Sequence, residues 1–66
     1  MPHLTINGES KETGARSIAE LLTELSLPAQ LMLVEYNGKA LHRSEWEEVS
    51  LVESDTLELM TISAGG

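Results

Sequence analysis

The sequence predicts a two-layer α+β fold in which one amphipathic helix covers one face of a mixed sheet. Three observations lead there. Asn7-Gly8 and Asn37-Gly38 each follow a short strand-like run, and a type I′ hairpin turn needs positive φ at both central residues. Ile18, Leu21, Leu22 and Leu25 fall at i, i+3, i+4 and i+7, a continuous helical stripe. Thr56 to Ile62 then has strand character at the far end of the chain.

The chain opens on His3-Leu4-Thr5-Ile6, which alternates polar and apolar like a half-buried strand, with Leu4 and Ile6 inward. After Asn7-Gly8, Glu9 to Glu12 returns as a polar edge strand whose charges discourage further pairing. Thr13-Gly14-Ala15-Arg16 reads as a loop. Ser17-Ile18-Ala19-Glu20 is a capping box: the serine hydroxyl can satisfy the N3 amide while the Glu20 carboxylate reaches back to the Ser17 amide. The helix is expected over residues 18–26, with Glu20 and Glu24 toward water, and Pro28 bars its continuation. Leu31 to Tyr36 reads as a strand, with Lys39-Ala40-Leu41 as its short return. Ser44-Glu45-Trp46-Glu47 repeats the capping-box pattern, but the apolar stripe behind it is too short for more than one turn. Val52 to Asp55 makes a turn into the last strand, residues 56–62.

One helix covers only one face of a sheet. The last strand can then lie centrally and parallel to the first, which requires the helical crossover between them. This is the β-grasp, or ubiquitin-like, arrangement, with roughly four to five strands on one main helix. The expected core is Leu4, Ile6, Ile18, Leu21, Leu22, Leu25, Val34, Tyr36, Leu41, Trp46, Leu57 and Leu59. Trp46 reads as a lid over an open end of that core. Alternation leaves a surplus. With Leu57 and Leu59 toward the helix, Met60 and Ile62 face away, as does Leu33 when Val34 and Tyr36 face in. Leu33, Met60 and Ile62 therefore read as an apolar docking face on the open side of the sheet.

Sixty-six residues make one small domain, 1–66, with no room for a catalytic cleft of ordinary size. There is no cysteine to act as disulfide, nucleophile, metal ligand or sulfur carrier, and a reducing cytoplasm fits. The longest apolar run, Leu31 to Val34, is far too short to span a bilayer. No basic stretch followed by an apolar one opens the chain, so a signal peptide is not expected and a cytoplasmic location is. Eleven acidic residues face four basic ones, a formal charge of −7. Such a field repels phosphate backbones and anionic lipid, so neither nucleic acid nor membrane is an expected partner. A protein with a basic docking surface is the natural complement, although the same acidity also keeps a small protein soluble.

No catalytic constellation is present. His3 and His42 sit in different segments with no partner at ligand spacing, and both read as surface histidines. There is no phosphate-binding glycine loop, nucleophile elbow or metalloprotease helix, and Glu47-Glu48 reads as solvated surface. The chain is expected not to be an enzyme by itself, and to hold no metal or cofactor. What remains is the end, Ser63-Ala64-Gly65-Gly66, expected as a flexible tail. Gly65 and Gly66 give the most slender backbone available, with a carboxylate at its tip that can thread a narrow channel without a Cβ clash. The plainer alternative is a frayed end where small residues collect.

These residues resemble the ThiS family, sulfur carriers of thiamine biosynthesis, over the whole chain. The likeness rests on the strand ending in Asn7-Gly8, on Ser17-Ile18-Ala19-Glu20-Leu21-Leu22 and on Val34-Glu35-Tyr36-Asn37-Gly38. It continues through Arg43-Ser44-Glu45-Trp46, Asp55 before the last strand, and Ala64-Gly65-Gly66. The Arg43–Trp46 pairing is the most particular of these. Two positions depart from the family pattern, Ser54 for glycine and His42 for proline. The resemblance implies that an E1-like adenylating enzyme of the ThiF type, using ATP and Mg²⁺, adenylates Gly66. Sulfur from a cysteine desulfurase relay then replaces AMP to leave a thiocarboxylate, which is delivered to a thiazole synthase of the ThiG type. The apolar face of Leu33, Met60 and Ile62 read from alternation, together with Ala64 in the tail, is expected to bind these partners. Three alternatives stay open: a molybdopterin synthase small subunit, a modifier joined to lysines, and a non-covalent binding module with an incidental Gly-Gly.

Overall fold

The computed structural model describes residues 1–62. Five strands, β1 (His3–Ile6), β2 (Glu9–Glu12), β3 (Met32–Tyr36), β4 (Lys39–Leu41) and β5 (Thr56–Thr61), form one sheet in the order β2-β1-β5-β3-β4. β1 and β5 run parallel, and the other neighbouring pairs are antiparallel. The helix α1 (Ile18–Glu24) packs on one face. The β-grasp arrangement expected from the sequence is the one found, with the last strand central.

The hairpins follow from their turns. Asn7 and Gly8 have φ of 51° and 84°, and Asn37 and Gly38 have 49° and 85°, the positive values a type I′ turn requires. Asn tolerates this region better than other side chains, and a Cβ at either glycine would meet no clash, so conformation alone selects glycine there.

α1 is shorter than expected, and its caps differ in detail. The Ser17 hydroxyl accepts from the Glu20 amide at 3.1 Å, as the capping box requires. Glu20 reaches one residue further back than expected, accepting from the Arg16 amide at 2.7 Å. At the other end Ser26 takes φ 59°, and the amides of Ser26 and Leu27 donate to the carbonyls of Thr23 and Leu22. That is a Schellman cap with serine where glycine is usual, and it stops the helix before Pro28 acts. Glu24 does not simply face water: its carboxylate accepts from the Thr13 hydroxyl at 2.8 Å, and the same hydroxyl accepts from the Ala15 amide. Thr13 is buried, so this triangle fixes the loop between β2 and α1.

Two segments lie outside the expected strands and helix. A 3₁₀ turn, Ala29–Leu31, delays β3 to Met32, and a six-residue 3₁₀ segment, Arg43–Glu48, replaces the single turn expected near Trp46. Its reciprocal cap sits at His42, not Ser44: the His42 amide donates to Glu45 Oε1 at 2.7 Å. β5 ends at Thr61, one residue short of the expected limit.

The buried core holds nine of the twelve expected residues, and adds Ala15, Met32 and Leu51. Leu25, Tyr36 and Leu41 are half-buried at its rim. Leu22 is 1% exposed, and Leu22→Ala should cost about 2–5 kcal/mol in chemical denaturation through the cavity it leaves. Ser26→Gly should act oppositely, raising stability by about 0.5–1 kcal/mol in the same assay, because glycine adopts the left-handed cap without the Cβ penalty.

Candidate functional site

The chain's last described residues are carried by β5, so the site begins with what holds that strand. Two asparagine side chains grip it from opposite sides. Asn7 Nδ2 donates to the Leu59 carbonyl at 3.2 Å, and the Leu59 amide donates to Asn7 Oδ1 at 2.7 Å. This continues the β1–β5 ladder beyond its two backbone pairs with a side chain that imitates a peptide unit. Asn37 holds the start of the strand with one backbone and one side-chain bond: its backbone amide donates to the Thr56 carbonyl at 2.7 Å, and the Thr56 amide donates to Asn37 Oδ1 at 2.8 Å.

Asp55 anchors the turn into β5. Only 6% exposed, its carboxylate accepts from the Tyr36 hydroxyl at 2.8 Å, the Val52 amide at 2.9 Å and Asn37 Nδ2 at 3.1 Å. Burial alone would raise its pKa, but the donors from Val52, Asn37 and Tyr36 outweigh burial and hold it below the ordinary 3.8. The Tyr36 hydroxyl is pushed above 10.0, by burial first and then by its hydrogen bond to Asp55 and that group's charge. Asn7, Asn37, Asp55 and Tyr36 are thus the residues that position β5. In the sequence the asparagines read only as turn residues and Tyr36 only as core.

On the open face the β3–β5 register sets Leu33 directly opposite Met60. They are 50% and 42% exposed, large values for apolar side chains in the middle of a sheet. The Ile62 amide donates to the Leu31 carbonyl at 2.6 Å, carrying the ladder one step past β5, and Ile62 is 41% exposed. Leu33, Met60 and Ile62 therefore lie where alternation places them. Ala64, Gly65 and Gly66 lie outside the described residues.

The remaining candidates take other positions. The Arg43 guanidinium lies 5.7 Å from the centre of the buried Trp46 ring, whose Nε1 has no hydrogen-bond partner among the described residues. Trp46 packs within the core, against the side of α1. His3 is exposed between Glu12 and Glu53, at 3.6 and 3.7 Å, and His42 is exposed at its cap. Among the described residues no cluster of His, Asp or Glu has the makings of a metal site, and no helix is long and apolar enough to cross a membrane.

The Asp55 network gives a pH dependence of definite sign. A carboxyl with a lowered folded pKa stabilises fully above its unfolded value, and that contribution is lost as pH falls below 3.8 through the folded value. Tyr36 works in the other direction, its contribution complete below pH 10.0 and lost as pH rises through its raised value. Asp55→Asn should cost about 1–3 kcal/mol at neutral pH, because an amide presents one acceptor and a donor to three donors. Urea titrations of both proteins across the acid range should show a smaller acid loss in the variant.

Comparison with known proteins agrees with this geometry. A crystal structure of thiamine biosynthesis protein ThiS from Geobacter metallireducens superposes with a TM-score of 0.81 at 31% identity, covering 97% of this chain and 99% of the other. An uncharacterized protein, ycf40, from Trieres chinensis is 31% identical over 62 residues, 92% of this chain and 85% of the relative. The ThiS family model matches residues 4–66, and the chain belongs to the ThiS family.

Proposed function

We propose that the chain is a sulfur carrier of thiamine biosynthesis whose working group is the carboxylate of Gly66. The observation that carries this reading is the family match, which runs from β1 through Ala64-Gly65-Gly66 to residue 66. A carboxylate resists substitution because its oxygen is a poor leaving group. An E1-like adenylating enzyme joins that oxygen to the α-phosphorus of ATP, with loss of pyrophosphate, and so makes AMP the leaving group. Sulfur at the oxidation level of sulfide then displaces AMP, and Gly66 becomes a thiocarboxylate that donates sulfur to a thiazole synthase. ATP, Mg²⁺ and the reactive thiols belong to the partners in this scheme. The chain itself supplies a slender tip and a rigid body behind it.

The docking part of the reading rests on Leu33, Met60 and Ile62, which put apolar surface on the last strand, with its continuation at Ile62, and on its neighbour β3. Met60→Asp or Ile62→Asp should leave the fold intact and weaken binding to the adenylating enzyme, since a charge set in an apolar interface loses hydration without a partner. Affinity unchanged by both returns these side chains to ordinary surface.

The tip has a sharper test. Removing Gly66 withdraws the carboxylate by one residue, roughly 3.3–3.6 Å. Reacting atoms must lie about 3–3.5 Å apart, so adenylation of the shortened chain should be lost. Gly65→Val should fail for a different reason, because its branched side chain widens the tail in the channel. Melting temperatures of both should match the parent protein. ATP–pyrophosphate exchange measures the loss, and a Gly66 deletion that still exchanges at the parent rate overturns the proposal.

A further inference from the structure

The same open face carries a second pair that the apolar reading leaves unexplained. The β3–β5 register places Glu35 directly opposite Glu58, one step along the face from Leu33 and Met60. Glu58 stands between buried Leu57 and Leu59, and Glu35 follows buried Val34, so alternation turns both carboxylates to the side away from α1. Side chains directly opposed in an antiparallel pair have Cβ atoms roughly 4.5–5.5 Å apart, where like charges oppose folding.

The chain offers this pair no counter-charge. It has four Lys and Arg residues, all among those described, and none stands on the open face. Lys11 is opposite inward Leu4, and Lys39 is opposite Tyr36, both with the parity of the helix-covered face. Arg16 lies in the loop before α1, and Arg43 lies over Trp46. Besides Leu33 and Met60, the neighbours of the acid pair on its own face are Ala40, across from Glu35, and Thr56, two residues before Glu58, and neither carries a charge. Among the described residues neither carboxylate takes part in an ion pair.

A sheet that holds two opposed carboxylates uncompensated, beside an exposed apolar pair, loses stability that an outside cation restores. Resting on the docking reading of this face, we infer that the adenylating partner inserts an arginine or lysine side chain between Glu35 and Glu58 while its apolar surface covers Leu33 and Met60. A guanidinium suits the place best, because its planar fork donates to both carboxylates at once. Covering the apolar pair also strips water from the acids. A protein with a matching apolar patch but no cation would bury two unpaired charges, so the pair selects among partners as well as attracting one.

The test uses Glu35→Gln, Glu58→Gln and the double variant, titrated calorimetrically against the cognate adenylating enzyme at low and high salt. Each single change should weaken binding by about thirtyfold or more and flatten its salt dependence, as loss of one partner of a desolvated charge pair does. The melting temperature should hold or rise by a few degrees as repulsion is relieved. Gain of stability with loss of affinity separates a recognition role from a structural one. Wild-type affinity and salt dependence in the double variant, or affinity lost together with stability, overturns the inference. Met60→Ser, which removes apolar contact without adding charge, serves as the control for the docking reading itself. If Met60→Ser weakens binding and the double glutamine variant does not, only the cation falls. If neither weakens binding, the docking reading falls with it.

Discussion

The structure depends on β5 being held on both sides. It is the last strand to be made, it lies in the middle of the sheet, and it pairs parallel with β1 and antiparallel with β3. Its backbone ladder with β1 is short, two residue pairs, so the Asn7 side chain supplies what the ladder lacks. Asn37 and Asp55 fix the point at which the strand begins. An Asn-Gly turn is ordinarily a local device. Here each asparagine also closes a contact distant in sequence, 52 residues for Asn7 and 19 for Asn37. The consequence is a strand whose register cannot slip, and a slip of one residue would exchange Met60 for Leu59 on the open face.

Around that strand the core is small and its supports are economical. Leu4, Ile18, Leu21, Leu22 and Leu57 are almost wholly buried, and Trp46 is buried with them. Two serines occupy left-handed backbone that glycine would adopt more readily, Ser26 at 59° and Ser54 at 73°. Ser54 is the position at which the resemblance leads one to expect glycine, and its φ of 73° is backbone that glycine adopts at less cost. The open face runs the other way, with Leu33, Met60, Ile62 and two like charges placed where folding alone gains nothing from them.

Much of this was legible in the sequence. The two Asn-Gly turns, the i, i+3, i+4, i+7 stripe and the final alternating strand carry local signals strong enough to give the topology and the outward set Leu33, Met60 and Ile62. The start of β3 was not legible, because Leu31 to Val34 is apolar throughout and the 3₁₀ turn consumes Leu31. Nor was the helix end, since the residue that terminates it is Ser26 and the sequence offers Pro28 as the more conspicuous stop. The long-range uses of Asn7, Asn37, Thr13 and Asp55 escaped for a single reason. A side chain that satisfies its own turn and one that grips a distant strand are the same letters, and only the fold brings the distant strand within reach.

The central claim is that the carboxylate of Gly66 accepts sulfur. The most direct measurement is intact-mass analysis of the unaltered protein after incubation with its cognate adenylating enzyme, ATP, Mg²⁺ and a sulfur donor, followed by fragmentation to locate any change. The account predicts a mass increase equal to replacement of one oxygen by one sulfur, confined to the C-terminal fragment that contains Gly65 and Gly66 and dependent on ATP. A protein that binds the enzyme yet returns unchanged in mass, or that carries added sulfur elsewhere in the chain, contradicts it.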